Sequence, residues 1–554
     1  MRPQCWRAAL TEGGSRSYSS LFPKLTEQIL RTIEFGAPVD FEGDRTVPRK
    51  LPNHPIDDSH LPKVRAVIAE DVLSGKKAGP IAPFPWPIVN GNPLCSSPIG
   101  AVPKKNSTKV RVIHDLSAPK GGDSVNGGIY DGSLDISSFG HAARAVRRAG
   151  KGAWLIKLDV EAAYKQVPVR PEDWHLLGFE FEGKLYYERV LPFGLRSSCR
   201  LWELFAAALH FLCEKLHCGV PHEVIHYVDD FLFVVSPSGG EPAAKRLLEG
   251  ALALCAQLGV PMATGPGKVE GPSTCLTFLG IELDTVALEA RLGESRLADL
   301  HALMVEWQSL ERASIKQLQS LTGILNFACA CVAPGRYYTR RIIRFTAHCD
   351  SLKSGKGRHA LFTLPAAVKA DVQWWVEALK GWNGVSLLYE DQWREAPLIE
   401  LFTDACNTGY GGYFNGHWFA GAWSPEELAA ATRKERISMP FLEMRALVMA
   451  AATWGHLWRG KKITFRCDCQ PVVQAMEKKG SVTPTQMHQL RSLHQIAAKN
   501  GFDFRVQHIV GETNTIADEL SRNGASVQFR ALCPRADRRA TRVRAPPMPT
   551  AADL

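Results

Sequence analysis

The sequence lacks the long apolar runs of a membrane protein. Its strongest apolar patches, such as residues 205–213, fall well short of the ~20 residues that a spanning helix needs, and residues 1–20 mix Arg, Gln, Glu, Gly and Ser without an apolar stretch. No membrane partner and no secretion are expected, which predicts a cytoplasmic or nuclear chain. Paired cysteines are missing as well. Fourteen are scattered with no C-x-x-C pair, and the closest couples, Cys329/Cys331 and Cys467/Cys469, fall inside apparent helix or strand patterns. They read as reduced thiols, excluding a disulfide scaffold and a zinc module. Strong charge bias is absent too: Lys and Arg number 66 against 56 Asp and Glu, a net +10, with 45% hydrophobic residues. That is the profile of a globular protein whose mild basic surplus is compatible with polyanions without requiring them. At 554 residues the chain has room for roughly three or four domains of ~150 residues, and no internal repeat is visible.

What is present is a succession of patterned segments. Residues 1–60 show little periodicity and end in the Pro-rich run 48–62, which predicts an extended N-terminal arm. Residues 63–73 are patterned as a helix. Pro80, Pro83, Pro85 and Pro87 then enforce an extended path into 97–115, two β-rich runs about a polar turn that carries Lys104, Lys105, Lys109 and Arg111. Residues 154–159 form an apolar strand ending on Asp159. Residues 224–235 are two apolar runs meeting at Asp229 and Asp230, a hairpin with acids at its turn, and helical material from about 200 to 216 lies between. A strand pair is expected over 276–283, and Ile315, Leu318, Leu321 and Leu325 recur at helical spacing. The Gly/Lys/Ser stretch 351–358 reads as a linker, followed by a Trp-bearing helix over 368–379. A fresh α/β pattern begins near Pro397, with strands at 398–404, 411–414, 418–423, 463–468 and 502–508 and helices at 440–457 and 515–520. Residues 523–554, with six Arg against two Asp and with Pro546, Pro547 and Pro549, predict a disordered, polyanion-seeking tail.

Two constellations of acids carry the chemistry. If the strands around them share a sheet, Asp159, Asp229 and Asp230 converge at its edge. Asp-Asp alone is an ordinary turn pair, but two adjacent acids inside an apolar hairpin are costly without a metal or partner cations. Mg²⁺ takes hard oxygen ligands and keeps positions open for phosphates, so a two-metal phosphoryl-transfer centre is expected. In the C-terminal α/β pattern Asp404 ends the first strand, Glu443 lies on the first long helix, Asp468 ends a later strand and Asp518 sits on the last helix. Singly these are ordinary surface acids; together they suggest a two-metal nuclease.

Leu158-Asp-Val-Glu-Ala-Ala-Tyr164, Leu191-Pro-Phe-Gly-Leu195 and Tyr227-Val-Asp-Asp230 resemble, in order and spacing, three palm motifs of the reverse transcriptase family. Phe402-Thr-Asp-Ala405, Leu442-Glu443, Arg466-Cys-Asp468 and the run from Gly511 to Arg522 that contains Asp518 resemble the ribonuclease H fold. The resemblance covers roughly residues 60–522. It implies an α+β and α/β multidomain chain with a right-hand polymerase: an N-terminal extension at 1–60, fingers and palm at 61–285, a thumb-like helical region at 286–350, a connection at 351–395, a ribonuclease H-like domain at 396–522 and the basic tail at 523–554. The implied activities are extension of a DNA primer with dNTPs on an RNA or DNA template, and cleavage of RNA in RNA–DNA hybrids. Each active site is implied to use two Mg²⁺ ions, with Mn²⁺ as a substitute. Asp159 and Asp229 would hold them in the first site with Asp230 beside them, and Asp404, Glu443, Asp468 and Asp518 in the second.

Other positions are carried over in the same way. Tyr164 matches an aromatic that lies under the sugar and excludes a 2′-hydroxyl. Lys104, Lys105 and Arg111 match cations that grip the triphosphate, Phe193 and Gly194 belong to the template-side motif, and Lys268 matches a candidate general acid near the leaving pyrophosphate. Phe278, Leu279 and Gly280 resemble the loop that positions the primer end, and His508 matches a polar residue that assists product or metal release. One departure is Cys199, where many relatives have Pro. Gly79-Pro80, Arg111-Val-Ile-His-Asp-Leu-Ser117, Ser124-Val-Asn126, Trp374-Trp375 and Trp382-Asn-Gly384 look similar to DIRS-like retrotransposons, with gypsy-type elements as the alternative. No Asp-Thr-Gly, Asp-Ser-Gly or zinc-knuckle pattern is present, so an element-encoded recombinase or integrase and a coat protein are expected on other chains. The run 455–462 approaches a P-loop but lacks its final Ser/Thr and passes from helix into strand. Two other readings are a domesticated or decayed element that only binds nucleic acid, and a nuclease with a structural polymerase half. Loss of acids would mark the first, and all seven are present.

Overall fold

In the computed structural model, which describes residues 1–103, 110–130, 132–134, 136–332, 334–352, 357–381, 385–387, 401–433, 436–477 and 483–548, the apolar run Trp154–Asp159 is an inner strand of a four-stranded sheet. The strand order is His222–Tyr227, Asp230–Val235, Trp154–Asp159, Glu270–Ser273. Leu155, Ile156, Leu158 and Phe231 to Val235 are all buried, as a continuous apolar run requires of a strand covered on both faces. The helices Ser198–Glu214 and Gly240–Leu258 pack against this sheet. The basic hairpin is present as Ile99–Pro103 paired antiparallel with Val110–His114. These elements belong to the first of two compact units, Met1–Ala145 with Gly152–Leu276; the second comprises Val146–Lys151 and Thr277–Leu554. Both units mix helices with sheets, so the expected α+β and α/β class is the one observed.

The expectation of an extended arm at 1–60 is overturned. The helices Pro3–Thr11 and Pro23–Phe35 each begin on a proline at the first helical position, where a missing N–H costs nothing. Trp6, Leu10, Tyr18 and Ile29 are buried in the same core as Ile156, Leu158 and Phe231, with Trp6 edge-on to Phe205 at 5.6 Å between ring centroids. The following loop is stitched down by Asp173, which accepts from the Val39 N–H at 2.9 Å and from Arg45 at 2.6 Å. The helix Pro23–Phe35 is amphipathic, with Ile29, Leu30 and Ile33 at helical spacing on the face that meets the core, a signal that sequence reasoning missed beside the Pro-rich run that follows.

In the second unit the order is His417–Ala422, Gly409–Phe414, Leu401–Ala405, Lys462–Cys467, Asp503–His508. The first three strands run antiparallel and the last two join in parallel register. The helix Met439–Trp454 is apolar all round and correspondingly buried. It packs on the Leu401–Ala405 strand and on the helix Pro484–Asn500. The helix Thr515–Asn523 approaches the Gly409–Phe414 strand so closely that a Cβ on Gly411 would stand 2.6 Å from that of Leu520. Ahead of this sheet lie four helices, Glu294–Gln308, Ile315–Ala328, Gly335–Ser351 and Ala366–Gly381. Residues 353–356 of the expected linker and 398–400 of the expected strand lie outside the described residues. All fourteen cysteines are free thiols. Among the described residues no helix is long and apolar enough to cross a membrane.

The disordered tail is also overturned as far as residue 548. Val527–Leu532 is helical, and Phe529 is fully buried with its ring 5.3 Å from that of Trp418. The chain beyond is pinned through its backbone: Trp418 Nε1–H donates to the Asp537 carbonyl at 2.8 Å, the Thr541 N–H to the Trp418 carbonyl at 2.7 Å, and Arg445 to the Pro546 carbonyl at 2.7 Å. Composition misled because one buried aromatic and a few backbone bonds outweigh a polar average. Phe529→Ala is expected to destabilise the second unit by ~3–5 kcal/mol in denaturant unfolding, the usual cost of emptying a buried Phe site.

Candidate active sites

The first centre follows from strand register. Asp230 stands opposite Asp159 across the sheet and opposite Tyr227 across the hairpin. Asp229 is therefore left on the turn, beside Val228 at φ +58°, a left-handed conformation that a β-branched residue adopts only under constraint. Trp202 supplies that constraint by donating its Nε1–H to the Val228 carbonyl at 2.7 Å, and the Val160 N–H binds the Asp229 carbonyl at 2.9 Å. Burial and then the neighbouring acids push Asp230 up to about 6, and burial likewise raises Asp229, with Asp159 adding to it. Lys268 forms an ion pair with Asp159; burial works against its charge, but Asp159 outweighs this and holds the ammonium above its usual range. An all-oxygen donor set of three neighbouring acids is suited to hard divalent cations, which relieve the repulsion.

Tyr164 lies on the tight turn Ala163–Gln166, entered through Ala162 at φ +45°. Its ring is 5.2 Å from that of Phe193 and its hydroxyl reaches the Cys199 thiol; burial raises its pKa. The Arg111 guanidinium stands 5.7 Å from the centre of the Phe193 ring and, with Lys268, acts electrostatically on Asp229. Gly194, at φ +104°, has no space for a Cβ, which would fall 2.1 Å from the His114 carbonyl oxygen. Its own carbonyl accepts from Asn126 at 2.8 Å. Asp159, Asp229, Asp230, Tyr164, Phe193, Gly194, Arg111 and Lys268 are thus all placed in the first unit. Lys104, Lys105 and Lys109 lie outside the described residues. Phe278, Leu279 and Gly280 fall in the second unit, where Phe278 is buried and the next two residues turn at φ +49° and +79°.

The second centre gathers four acids: Asp404 on a strand, Asp468 just past the end of the strand Lys462–Cys467, and Glu443 and Asp518 on helices. Asp404 and Glu443 are buried; burial, with the other acids adding to it, raises Asp404 to about 6 and Glu443 to about 9. Glu443 Oε1 accepts the Ala405 N–H at 3.3 Å, while its buried Oε2 has no hydrogen-bond partner among the described residues. That orphaned oxygen fits a cation ligand. Asp404 is oriented by Ser521 at 2.6 Å and Asn514 at 3.3 Å, and Asp518 pairs with Arg522 at 2.7 Å. Glu443, Cys467 and Asp468 each offer a ligand atom within 4.8 Å of the others. Exposed His508 ends its strand opposite Cys467. Sequence reasoning missed Ser521, Asn514, Asn126 and Trp202. Asn126 lies in Ser124-Val-Asn126, and Asn514 and Ser521 in the run from Gly511 to Arg522, but each acts through a bond to a partner far along the chain, which the local sequence does not mark.

Because the folded pKa values of Glu443, Asp404 and Asp230 stand above their usual 4.5, 3.8 and 3.8, the metal-free fold holds protons that the unfolded chain releases. Stability is therefore present below those usual values and lost as pH rises, through about 6 for the aspartates and about 9 for Glu443. In chelator, the melting temperature of the second unit should fall from pH 5 to 9, with a shallower slope for Glu443→Gln.

Residues 102–283 match the family model for reverse transcriptase (RNA-dependent DNA polymerase). This segment is similar to reverse transcriptase domains. Over 138 residues, 25% of this chain and 7% of the relative, the protein is 28% identical to the Gag-Pol polyprotein of walleye dermal sarcoma virus. It is 21% identical to polyprotein P3 of Commelina yellow mottle virus over 68% of this chain and 18% of that one. Against the enzymatic polyprotein of Cestrum yellow leaf curling virus it is 26% identical over 31% of this chain and 25% of the relative. The chain thus spans a quarter or less of these curated relatives. Among solved structures, the foamy viral protease-reverse transcriptase in complex with double-stranded DNA aligns at 16% identity and TM-score 0.49, covering 92% of this chain and 82% of that one.

Proposed function

We propose that the protein is an RNA-directed DNA polymerase of a retroelement, carrying ribonuclease H activity at its second centre. The observation that carries the reading is the register that sets Asp230 against Asp159 with Asp229 on the adjoining turn, inside the segment that matches the reverse transcriptase family. Asp159 and Asp229, with Asp230 beside them, would hold two Mg²⁺ or Mn²⁺ ions, which when bound supply charge neutralisation at the triphosphate and a more acidic primer 3′-hydroxyl. Arg111, with Lys104 and Lys105, grips the incoming triphosphate. Lys268, kept protonated by Asp159, stands ready to give a proton to the leaving pyrophosphate. Tyr164, its ring against Phe193, closes the floor under the sugar and favours dNTPs. Phe193 and Gly194 serve the template strand, and Phe278, Leu279 and Gly280 the primer end.

At the second centre Asp404, Glu443, Asp468 and Asp518 would hold the ions for hydrolysis of RNA in an RNA–DNA hybrid, with His508 aiding release. Ser521 and Asn514 fix the Asp404 carboxylate so that its oxygens keep their direction. Binding to template, primer and hybrid is directed to the phosphate backbone and is salt-sensitive, because a polymerase must accept any sequence. A DIRS-like origin is favoured over a gypsy-type one, with recombinase or integrase and coat protein on other chains. The test is primer extension and hybrid cleavage on one preparation. Asp229→Asn should abolish Mg²⁺-dependent dNTP incorporation on a primed RNA template, and Glu443→Gln should abolish hybrid cleavage while extension persists. Equal extension by Asp229→Asn and the parent refutes the polymerase assignment; equal cleavage by Glu443→Gln refutes the nuclease one.

A further inference from the structure

The first unit contains a buried group of four charges that the proposed chemistry does not use. Asp71, in the last turn of the helix Leu61–Leu73, accepts from Lys77 Nζ at 2.7 Å and from Lys165 Nζ at 2.6 Å on the same oxygen, Oδ2. Lys77 also pairs with Glu188 at 2.8 Å. Two cations and two anions make the group neutral, and the side chains of Asp71, Lys77 and Glu188 are each less than a tenth exposed. Burial works against the Asp71 charge, but Lys77 and Lys165 outweigh it and hold the carboxyl below its usual range.

Three of the four members form one rigid piece. Lys77 and Glu188 are cross-strand partners in the strands Lys77–Ile81 and Lys184–Glu188, and the Lys76 N–H binds the Asp71 carbonyl at 2.8 Å. Lys165 comes from elsewhere, the Ala163–Gln166 turn, and is the residue next to Tyr164. Side chains on a turn with three residues per revolution diverge by about 120°. Fixing Lys165 on Asp71 therefore fixes the rotation of the turn and the direction in which the Tyr164 ring leaves it. A buried ion group is a poor source of net stability compared with apolar packing, and its best-attested use is to specify geometry.

We propose that Lys165 is a positioning residue for Tyr164: its ion pair with Asp71 sets the rotation of the 163–166 turn and thereby the selection of deoxyribose over ribose at the first centre. The proposal rests on the polymerase reading above. Its test compares kcat/KM for a dNTP and the rNTP of the same base in full-length parent, Lys165→Met, Lys165→Arg and Asp71→Asn. Lys165→Met and Asp71→Asn should lower the dNTP preference by about tenfold, in line with the sensitivity of reacting geometry to small displacements, and Lys165→Arg should restore most of it. In a Tyr164→Ala background the Lys165→Met effect on the ratio should vanish, since the two act through one ring. A ratio within about twofold of the parent in Lys165→Met, or the same loss in both backgrounds, overturns the proposal. So does a variant that only melts earlier and slows for both nucleotides alike. If Lys165→Met fails to fold, Lys165→Arg and Asp71→Asn decide by the same ratio. A parent that incorporates neither nucleotide refutes the polymerase reading instead, and this proposal with it.

Discussion

Carboxylates brought to one edge of a sheet repel one another, and both sites depend on a frame rigid enough to hold them there. At the first centre the frame is the inner part of a sheet whose strands are apolar on both faces, so that neither register nor tilt can relax without exposing Ile156, Leu158 or Phe233. A one-residue slip would turn the acids to the other face of the sheet. Trp202 completes the frame by holding Val228 in a conformation that directs Asp229 onto the turn. At the second centre the helix that carries Glu443 is buried all round, and the helix that carries Asp518 is drawn onto a strand of glycines.

The two centres use the same electrostatics with different depth. Asp229 sits on the turn and Asp230 opens the strand beside it, and Lys268 tempers the repulsion between them and Asp159, with Arg111 adding to this at Asp229. Glu443 is deeper, bears an oxygen without a partner among the described residues, and is raised much further. A partly screened acid set leaves room for a further anion to approach, whereas the deep one concentrates demand for cations. Around both, neutral donors such as Ser521, Asn514 and Asn126 orient oxygens without adding charge.

The flanks of the chain show where sequence patterns mislead. Residues 1–60 and 523–548 are rich in Pro or Arg, yet each is tied to its unit by a buried aromatic, Trp6 or Phe529, and by backbone bonds to residues far along the chain. Local composition measures average polarity, and a single well-placed ring can contribute more than that average suggests.

By itself the sequence determined the strands that carry Asp159 and Asp230, those of the C-terminal sheet and the helix that carries Glu443, and it singled out seven acids as candidates, because apolar runs ending on carboxylates are local signals that survive without knowledge of the fold; the strand Glu270–Ser273 carries no such signal. The strand end at Asp159 was legible to the residue, whereas the sequence puts Asp230 on the turn and the structure makes it the first residue of the next strand. Only the tertiary structure decided which oxygen is orphaned, which residues orient Asp404, and that Lys165 shares Asp71 with Lys77. Those facts join residues scores of positions apart, and a hydrogen bond or an ion pair leaves no periodicity in the sequence to mark its partner.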